Sequence, residues 1–321
     1  MKKIQPCDLH MTNKPEGVRI IPGACLADYT TFQLGGSCPY LIECESVATL
    51  QKTVRWLYDQ QKSYLIIGQG SNLLISDHGI DQVVLRFLNP DMDHIVDEDL
   101  SLVVEGHILL DRFVHAMIER GYGDVTFLSG IPGTVGGAVI GNAGAFGEQI
   151  GDLITHIEWM DEKGESEWIP AKNAHFSYRS SALKGKPGAL LRIRMAKEVC
   201  HIPAMQTRRA EILELRAQKH PDWALEPCAG SVFRNIEAGS AAGRRQAAGW
   251  FLEQAGAKEL SVGHAHLYKK HANIIIADKK ATASDVYTLM QEMRKRVQEK
   301  FQIELIPEIK CIGEFPDRPC Q

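Results

Sequence analysis

The chain has 321 residues, of which 44% are hydrophobic, and its formal net charge is −4. This length allows two or three domains with cores of their own, and the slightly acidic balance argues against a nucleic-acid or anionic-membrane binder. Residues 1–11 contain no apolar run and no segment reaches the length of a membrane span, so we expect a cytoplasmic protein. We also expect a monomer or weak oligomer.

The eight cysteines are dispersed along the chain and include no C-x-x-C pair. Such pairs are typical of structural zinc sites, and conserved cysteine frameworks are typical of short secreted chains. We therefore expect no metal and no disulfides from the cysteines at positions 7, 25, 38, 44, 200, 228, 311 and 320.

Residues 46–61 are predicted to form the first helix. Ser46 is a suitable N-cap, and four apolar residues that follow recur at helical spacing, so one face of the helix should be buried. A short apolar strand over residues 64–68 comes next and leads into the sequence GQGSNLLISDHG.

This sequence places Gly68, Gly70, Ser71 and Asn72 in a tight turn. Serine and asparagine in such turns most often bond the local backbone, so the pair alone does not indicate a ligand site. A second glycine-rich loop farther along the chain changes the interpretation. Two such loops, each preceded by an apolar strand, are suited to hold one extended ligand from two sides.

Between the two loops and beyond the second, strands and helices alternate without a regular βαβ repeat, which predicts the α+β class. Gly121 is expected to end the helix of this region. The predicted strands cover 83–87, 102–105, 153–160 and 189–195, and the predicted helix covers 111–121.

The second loop reads FLSGIPGTVGGAVIGNAGAFG and spans residues 127–147 with seven glycines and no charge. Its valines and isoleucine favour burial, so it is not a flexible linker. Backbone without Cβ atoms can approach a ligand closely, and exposed amides can hold phosphate oxygens, which makes a pyrophosphate the natural ligand. The alternative is a tight turn packed between strands. The spacing matches neither the dinucleotide fingerprint nor the P-loop, so the ligand class stays open.

A C-terminal domain is predicted after Pro203, where a charged helix over 206–220 ends at Pro221. Three histidines, at 264, 266 and 271, have no carboxylate or cysteine cluster beside them and are expected to face solvent or cap the core. In the last predicted helix, Thr282 is the N-cap with Asp285 as its capping-box partner. The expected elements are a helix near 245–255, a strand over 273–277, a helix over 283–300, and two short strands within 303–313 broken at Pro307.

Seven motifs together resemble one family. They occur in the order and approximate spacing found in UDP-N-acetylenolpyruvoylglucosamine reductases, the MurB flavoenzymes of peptidoglycan precursor synthesis. No single motif identifies the family, but the collinear set is specific and covers roughly residues 30–313. The motifs are GQGSNLLISDHG, GIPGTVGGAVIGNAGAFG, YRSS, AGSVFRN, GWFLEQAG, KKHANIII and PEIKCIG.

The resemblance implies a vanillyl-alcohol-oxidase/PCMH-type flavin fold of two subdomains, over residues 25–88 and 89–203, and a C-terminal α+β substrate-binding domain over 204–313. It implies noncovalently bound FAD, NADPH as the reductant, and UDP-N-acetylglucosamine enolpyruvate as the substrate. Hydride transfer to the β-carbon of the enolpyruvyl group leaves carbanion character at the α-carbon. The protein must therefore stabilise the adjacent carboxylate and supply a proton.

Three residues match the family's catalytic positions. Arg179 is implied to hold the carboxylate, Ser231 to donate the proton and Glu308 to assist by hydrogen bonding, while Tyr178 and Asn235 are implied to lie near substrate. Taken singly, these residues are more often a surface arginine, a turn hydroxyl and a solvated carboxylate. The cofactor-binding residues implied by the same resemblance are Gly68, Gly70, Ser71, Asn72, Leu73, Ile131, Pro132, Gly133, Gly136, Gly137, Asn142 and Gly144.

The chain departs from the family pattern at five positions, where local packing or lining is expected to differ. The segment between YRSS and AGSVFRN is short, which implies the subtype without a tyrosine-bearing insertion. Two alternatives remain open: another FAD-linked oxidoreductase of this fold, and a catalytically silent paralogue that binds FAD or a UDP-sugar. The departures are at Gly141, Ile236, His264, Leu267 and Tyr268.

Overall fold

The computed structural model describes residues 9–89, 91, 94–236 and 246–316. The strands are β1 (Arg19–Pro22), β2 (Tyr40–Cys44), β3 (Tyr64–Ile67), β4 (Leu73–Ile75), β5 (Val83–Phe87), β6 (Ile95–Asp97), β7 (Ser101–Glu105), β8 (Gly144–Ala145), β9 (Glu148–Gln149), β10 (Ile154–Met160), β11 (Ser166–Pro170), β12 (Ala189–Ala196), β13 (Ser261–Val262), β14 (Ala265–Tyr268), β15 (His271–Ala277) and β16 (Lys310–Ile312). The helices are α1 (Val47–Asp59), α2 (Leu110–Arg120), α3 (Val135–Ile140), α4 (Ile202–Lys219), α5 (Ala248–Gln254) and α6 (Ala283–Phe301).

The chain divides into two compact units. Unit 1 comprises Met1–Gly23, Pro39–Gln69 and Asp81–Arg216. Unit 2 comprises Ala24–Cys38, Gly70–Ile80 and Ala217–Gln321. Of the helices in the described ranges, none combines the length and apolar character that a membrane-spanning helix needs.

Within the described residues, unit 1 contains two large sheets and the two-stranded pair β8-β9. The first has the order β1-β2-β5-β3, in which β2, β5 and β3 run parallel and β1 is antiparallel. The second is antiparallel, with the order β11-β10-β12-β7-β6. The mixture of one largely parallel and one antiparallel sheet confirms the predicted α+β class for this unit.

The first helix of unit 1 forms as its sequence predicts. The Ser46 hydroxyl accepts the Thr49 N–H at 3.1 Å, and the Thr49 hydroxyl accepts the Ser46 N–H at 3.1 Å, which completes a capping box. The buried face includes the four predicted apolar residues, Val47, Leu50, Val54 and Leu57.

Glycine also ends α2 as predicted. Gly121 has φ +67°, the left-handed conformation that glycine adopts without strain. The predicted strands over 83–87, 102–105, 153–160 and 189–195 are confirmed to within a residue at each end.

Unit 2 is built around a three-stranded antiparallel sheet, β13-β14-β15, with α5 and α6 contributing to its core. A parallel pair of short strands joins β4 to β16. The predicted stripe of α6 is confirmed as buried: Val286, Leu289, Met290, Met293 and Val297.

Three elements differ from the prediction. Helix α4 begins at Ile202 rather than near residue 206, because proline is tolerated in the first turn of a helix and Pro203 therefore does not precede it. The glycine-rich stretch contains α3, which was not predicted. The prediction of two closing strands was wrong: 303–306 forms no strand, and Pro307 makes only an isolated bridge with Phe233 before β16.

Helix α5 starts at Ala248. The predicted start near residue 245 lies outside the described residues.

Among the six described cysteines no disulfide is formed, and Cys7 and Cys320 lie outside the described ranges. Burial raises the pKa of the Cys44 thiol to about 12 despite its hydrogen bond with Thr53.

Candidate active site

The two glycine-rich loops meet within unit 1. The N–H of Gly133 donates to Oε1 of Gln69 at 2.6 Å. A Cβ on Gly68 would lie 2.7 Å from Oγ1 and 2.8 Å from Cγ2 of Thr134, closer than real Cβ contacts allow. Gly68 is therefore required for the approach of the two loops.

Helix α3 follows this junction directly. The Thr134 hydroxyl caps the helix by accepting the N–H of Gly137 at 3.3 Å. The N–H of Gly136 donates to the carbonyl of Gly106 at 2.8 Å, and a Cβ on Gly136 would lie 3.1 Å from that oxygen. The amides of Gly133, Gly136 and Gly137 thus have partners within the chain, and Gly136 serves close backbone packing.

Gly137 is different from Gly136 because it is exposed. The nearest atom to a Cβ at Gly137 would be Thr134 Oγ1, at an ordinary 3.5 Å. The described chain therefore leaves room for a side chain here, and packing does not explain the glycine.

Asn142, implied to bind the cofactor, has its side chain committed to the protein. It is 1% exposed, and its Nδ2 donates to the Ser177 carbonyl and to Gln149 Oε1, both at 2.8 Å. Its Oδ1 accepts the Gly151 N–H at 3.0 Å. Asn142 therefore ties the end of the glycine-rich stretch to the loop that carries Arg179.

That loop ends in a two-residue turn. Ser177 and Ser180 exchange both backbone hydrogen bonds, at 3.0 and 3.1 Å, and enclose Tyr178 and Arg179. Arg179 has φ +53°, a conformation that costs a non-glycine residue about 1–3 kcal/mol. The Ser181 hydroxyl adds a second anchor, donating to the carbonyl of Ile140 at 2.7 Å. The strained turn is thus held from both sides by the residues around the C-terminus of α3.

Arg216 on α4 brings a second guanidinium near Arg179. Burial and the charge of Arg179 lower the pKa of Arg216. Its stem packs on Gly130, where a Cβ would lie 2.9 Å from Arg216 Cδ. Its buried Nε has no hydrogen-bond partner within the described part of the chain. Two neighbouring guanidinium groups favour a bound anion.

The other two predicted catalytic residues lie in unit 2 and share one backbone framework. Glu308 donates its N–H to the carbonyl of Val232, the residue after Ser231, at 2.8 Å. Ser231 and Glu308 are both partly exposed. The structure therefore brings together two residues that are far apart in sequence.

The turn from Gly70 to Leu73 joins the same framework. Asn72 Nδ2 donates to the carbonyl of Glu308 at 3.1 Å, and the Lys310 N–H donates to the Asn72 carbonyl at 3.0 Å. The Asn72 side chain therefore bonds a distant segment instead of its own turn. Gly70 has φ +68°, and a Cβ there would lie 2.1 Å from the Tyr29 carbonyl oxygen.

The remaining predicted residues take less specific positions. Asn235 is exposed, and its Oδ1 accepts the Ala248 N–H at 3.1 Å at the start of α5. Ile131 and Pro132 are partly buried, and a Cβ on Gly144 would lie 2.2 Å from the Glu148 carbonyl oxygen.

Two of the five departures, Leu267 and Tyr268, belong to the core of unit 2, and Ile236 packs against that core. His264 is exposed. Over residues 9–89, 91, 94–236 and 246–316, no three His, Cys, Asp or Glu side chains are grouped so that they could hold a metal ion.

Comparison with known proteins identifies the family. Residues 39–169 match the sequence model of an FAD-binding domain, and residues 220–312 match that of the C-terminal domain of UDP-N-acetylenolpyruvoylglucosamine reductase. The reductase of Acaryochloris marina is 33% identical over 303 residues, which cover 92% of this chain and 94% of that protein. The chain belongs to the UDP-N-acetylenolpyruvoylglucosamine reductase family.

Other members agree. The reductase of Gloeobacter violaceus is 34% identical over 293 residues, covering 91% of this chain and 96% of that protein. The crystal structure of the Thermus caldophilus enzyme superposes with a TM-score of 0.72 at 28% identity, covering 92% of this chain and 98% of that one. The family and the fold implied by the seven motifs are confirmed.

Sequence reasoning missed Gln69, Arg216 and Asn273. Gln69 lies inside the first glycine motif, and Asn273 is a polar residue within the apolar strand of KKHANIII, but the sequence does not show the distant partners of either residue. Arg216 is one of several cations on a charged helix, and nothing in the sequence distinguishes it from the others.

Proposed function

We propose that this protein is an FAD-containing, NADPH-dependent enzyme that reduces UDP-N-acetylglucosamine enolpyruvate to UDP-N-acetylmuramate in peptidoglycan precursor synthesis. The observation that carries the proposal is the framework that holds Ser231 and Glu308 together in a chain of this family. The assignment of each site residue and the division into domains at 25–88, 89–203 and 204–313 are parts of the same proposal, as is the subtype without the insertion.

The residues of unit 1 fit FAD. The open side of Gly137 leaves bare backbone for the cofactor to approach, and the packing of Gly68 on Thr134 holds the two glycine-rich loops together. The uncharged loop suits an apolar ring system, and Arg216, whose buried Nε has no hydrogen-bond partner among the described residues, supplies a positive charge for an anionic group. We propose that the backbone of Gly137, which no side chain covers, contacts the cofactor. When bound, FAD supplies the hydride that it has taken from NADPH.

Arg179 binds the carboxylate of the enolpyruvyl group. The fixed guanidinium fork accommodates a carboxylate through two parallel hydrogen bonds, and it does so most strongly when negative charge builds up on the adjacent carbon. The turn fixes the backbone from which the Arg179 side chain extends, which reduces the ordering required when substrate binds.

Ser231 donates a proton to the α-carbon. A hydroxyl is a poor acid in water, but a carbon with carbanion character is a strong base, so proton transfer from a well-placed hydroxyl is favourable. Glu308 assists by donating a hydrogen bond from its protonated carboxyl to the same developing charge. Tyr178 and Asn235 contribute to the substrate-binding surface.

The test is product formation by the purified protein. We expect a yellow protein that releases FAD on denaturation and converts substrate and NADPH into the lactyl ether, detected by mass spectrometry. A yellow protein that NADPH reduces but that forms no product would favour another FAD-linked oxidoreductase. A protein that binds FAD or the UDP-sugar without any turnover would favour a silent paralogue. A colourless protein that binds no added FAD would contradict the proposal.

A further inference from the structure

The segment that carries Ser231 is not part of a regular sheet. Residues 231–235 belong to no strand, and within the described chain they make isolated bridges from Ser231 to Ile274 and from Phe233 to Pro307. An irregular segment has fewer backbone hydrogen bonds than a strand to fix it. The position of the Ser231 hydroxyl therefore depends on the few contacts that the segment does make.

Asn273 provides three of these contacts. Its Nδ2 donates to the Phe233 carbonyl at 2.8 Å, and its Oδ1 accepts the Phe233 N–H at 3.0 Å. Its backbone carbonyl accepts the Val232 N–H at 2.8 Å. One side chain thus satisfies both backbone groups of Phe233, as a neighbouring strand would.

The asparagine is itself fixed. It is 2% exposed, and its N–H donates to Nδ1 of His271 at 3.2 Å. A buried amide in an apolar strand is costly unless its polar atoms are bonded, and the two hydrogen bonds to Phe233 are ones that an apolar residue could not make.

Glu308 depends on the same contacts. Its N–H donates to the Val232 carbonyl at 2.8 Å, and the Arg234 N–H donates to the Ile306 carbonyl at 3.0 Å. The segment of Ser231 therefore lies between Asn273 on one side and the segment of Glu308 on the other. A shift of Phe233 would move both proposed catalytic groups.

We propose that Asn273 is a positioning residue for the protonation step, acting through the backbone of Val232 and Phe233 without touching the substrate. The inference rests on the proposed function. In this inference, the buried Asn273 side chain fixes the position of the proton donor Ser231 relative to Glu308.

The experiment separates the two halves of the reaction in the FAD-loaded protein. Asn273→Ala should be reduced by NADPH at the wild-type rate and should keep its FAD. Its reoxidation by UDP-N-acetylglucosamine enolpyruvate in a single turnover should be slower by about 10-fold or more, because two buried backbone groups lose their partner and the donor loses its position. The solvent deuterium isotope effect on that step should rise as proton transfer becomes more limiting.

Asn89→Ala is the matched control. Asn89 is 8% exposed, and its Nδ2 bonds the Glu45 carbonyl at 3.2 Å, so its removal costs a comparable buried contact in unit 1. We expect this variant to lose stability while both half-reactions stay at wild-type rates. Asn273→Asp keeps the acceptor for Phe233 and loses only the donor, and it replaces Asn273→Ala if that variant does not fold.

Two results would overturn this inference while leaving the proposed function standing. In the first, the substrate reoxidises the wild type and the Asn273 variants at the same rate. In the second, both half-reactions slow equally in those variants. A wild-type protein that the substrate does not reoxidise would overturn the proposed function and this inference together.

Discussion

At the scale of single residues, Asn142 fixes the turn that presents Arg179. Asn142→Asp keeps an acceptor for Gly151 but replaces the donor to Ser177 and Gln149 with an oxygen that faces two acceptors at a 1% exposed position, at a cost of about 1–3 kcal/mol. We expect kcat/KM for the enolpyruvyl substrate to fall by about 10-fold or more through a higher KM, while reduction by NADPH is retained. Steady-state kinetics at varied substrate concentration measure this change.

The control for Asn142→Asp is Asn89→Asp, which removes the donor of another buried asparagine in unit 1. It should leave the KM for the enolpyruvyl substrate unchanged. Equal KM values in the two variants, both near the wild type, would refute a role for Asn142 in holding Arg179.

The sequence predicts the site residues unevenly. Ser231, Glu308 and Arg179 are identified only through collinear family motifs, because each residue alone has a commoner structural explanation. Asn273 and Gln69 escape prediction because their partners lie 40 and 64 residues away. Such pairings become visible only when the fold is known.

At the scale of elements, α3 provides a matched pair of glycines. Gly136→Ala places a Cβ 3.1 Å from the Gly106 oxygen, whereas Gly137→Ala meets only Thr134 Oγ1 at 3.5 Å. Alanine is favoured over glycine in a helix by about 1 kcal/mol. We therefore expect Gly137→Ala to stabilise the cofactor-free protein and to weaken FAD binding, and Gly136→Ala to destabilise the protein.

Thermal unfolding of the cofactor-free variants and titration with FAD, followed by flavin fluorescence, measure the two effects separately. If Gly137→Ala binds FAD as tightly as the wild type, Gly137 does not contact the cofactor.

Helix ends show where local sequence is sufficient. The capping box of Thr282 and Asp285 is predicted correctly because both partners lie within one turn. The same helix start also receives Asp77, whose carboxylate accepts the N–H groups of Ala283 and Ser284 at 2.7 and 2.9 Å. These hydrogen bonds join Asp77 to residues that lie 206 and 207 positions later in the chain, so they have no local signal in the sequence.

At the scale of the whole molecule, a buried ion-pair network makes stability depend on pH. Glu105 is 8% exposed, and its Oε1 lies 3.1 Å from Nε of Arg192. Burial opposes ionisation of Glu105, but His107, whose Nδ1 lies 3.2 Å from Oε2, and the charge of Arg192 outweigh it, so the pKa of Glu105 is lowered. A carboxyl with a lowered pKa stabilises the fold above its unfolded pKa of about 4.3, and the contribution is lost as pH falls through the lower folded value.

We therefore expect Glu105→Gln to be less stable than the wild type at neutral pH by about 1 kcal/mol or more and to lose less stability on acidification. Urea unfolding between about pH 3 and pH 7 measures both slopes. Glu253→Gln, which removes an exposed pair with Lys258, should follow the wild-type curve. Parallel curves for Glu105→Gln and the wild type would rule out the linkage.

The α+β class is predictable for the whole chain because hydrophobic periodicity marks most strands and helices. The division of the chain into these two units is not predictable from hydrophobic periodicity. Residues 24–38 and 70–80 belong to unit 2 with the C-terminal part, and the parallel pairing of β4 with β16 is one reason. Pairing between strands so far apart in sequence leaves no local signature.

The assignment of Ser231 as proton donor is tested most directly by an anaerobic single turnover. Wild-type protein reduced by NADPH should regain its oxidised flavin absorbance when UDP-N-acetylglucosamine enolpyruvate is added, with formation of UDP-N-acetylmuramate. Ser231→Ala should be reduced as fast as the wild type, but its reoxidation should be slower by about 100-fold or more. Reoxidation of Ser231→Ala at the wild-type rate, or a wild type that the substrate leaves reduced, would contradict the proposed reaction.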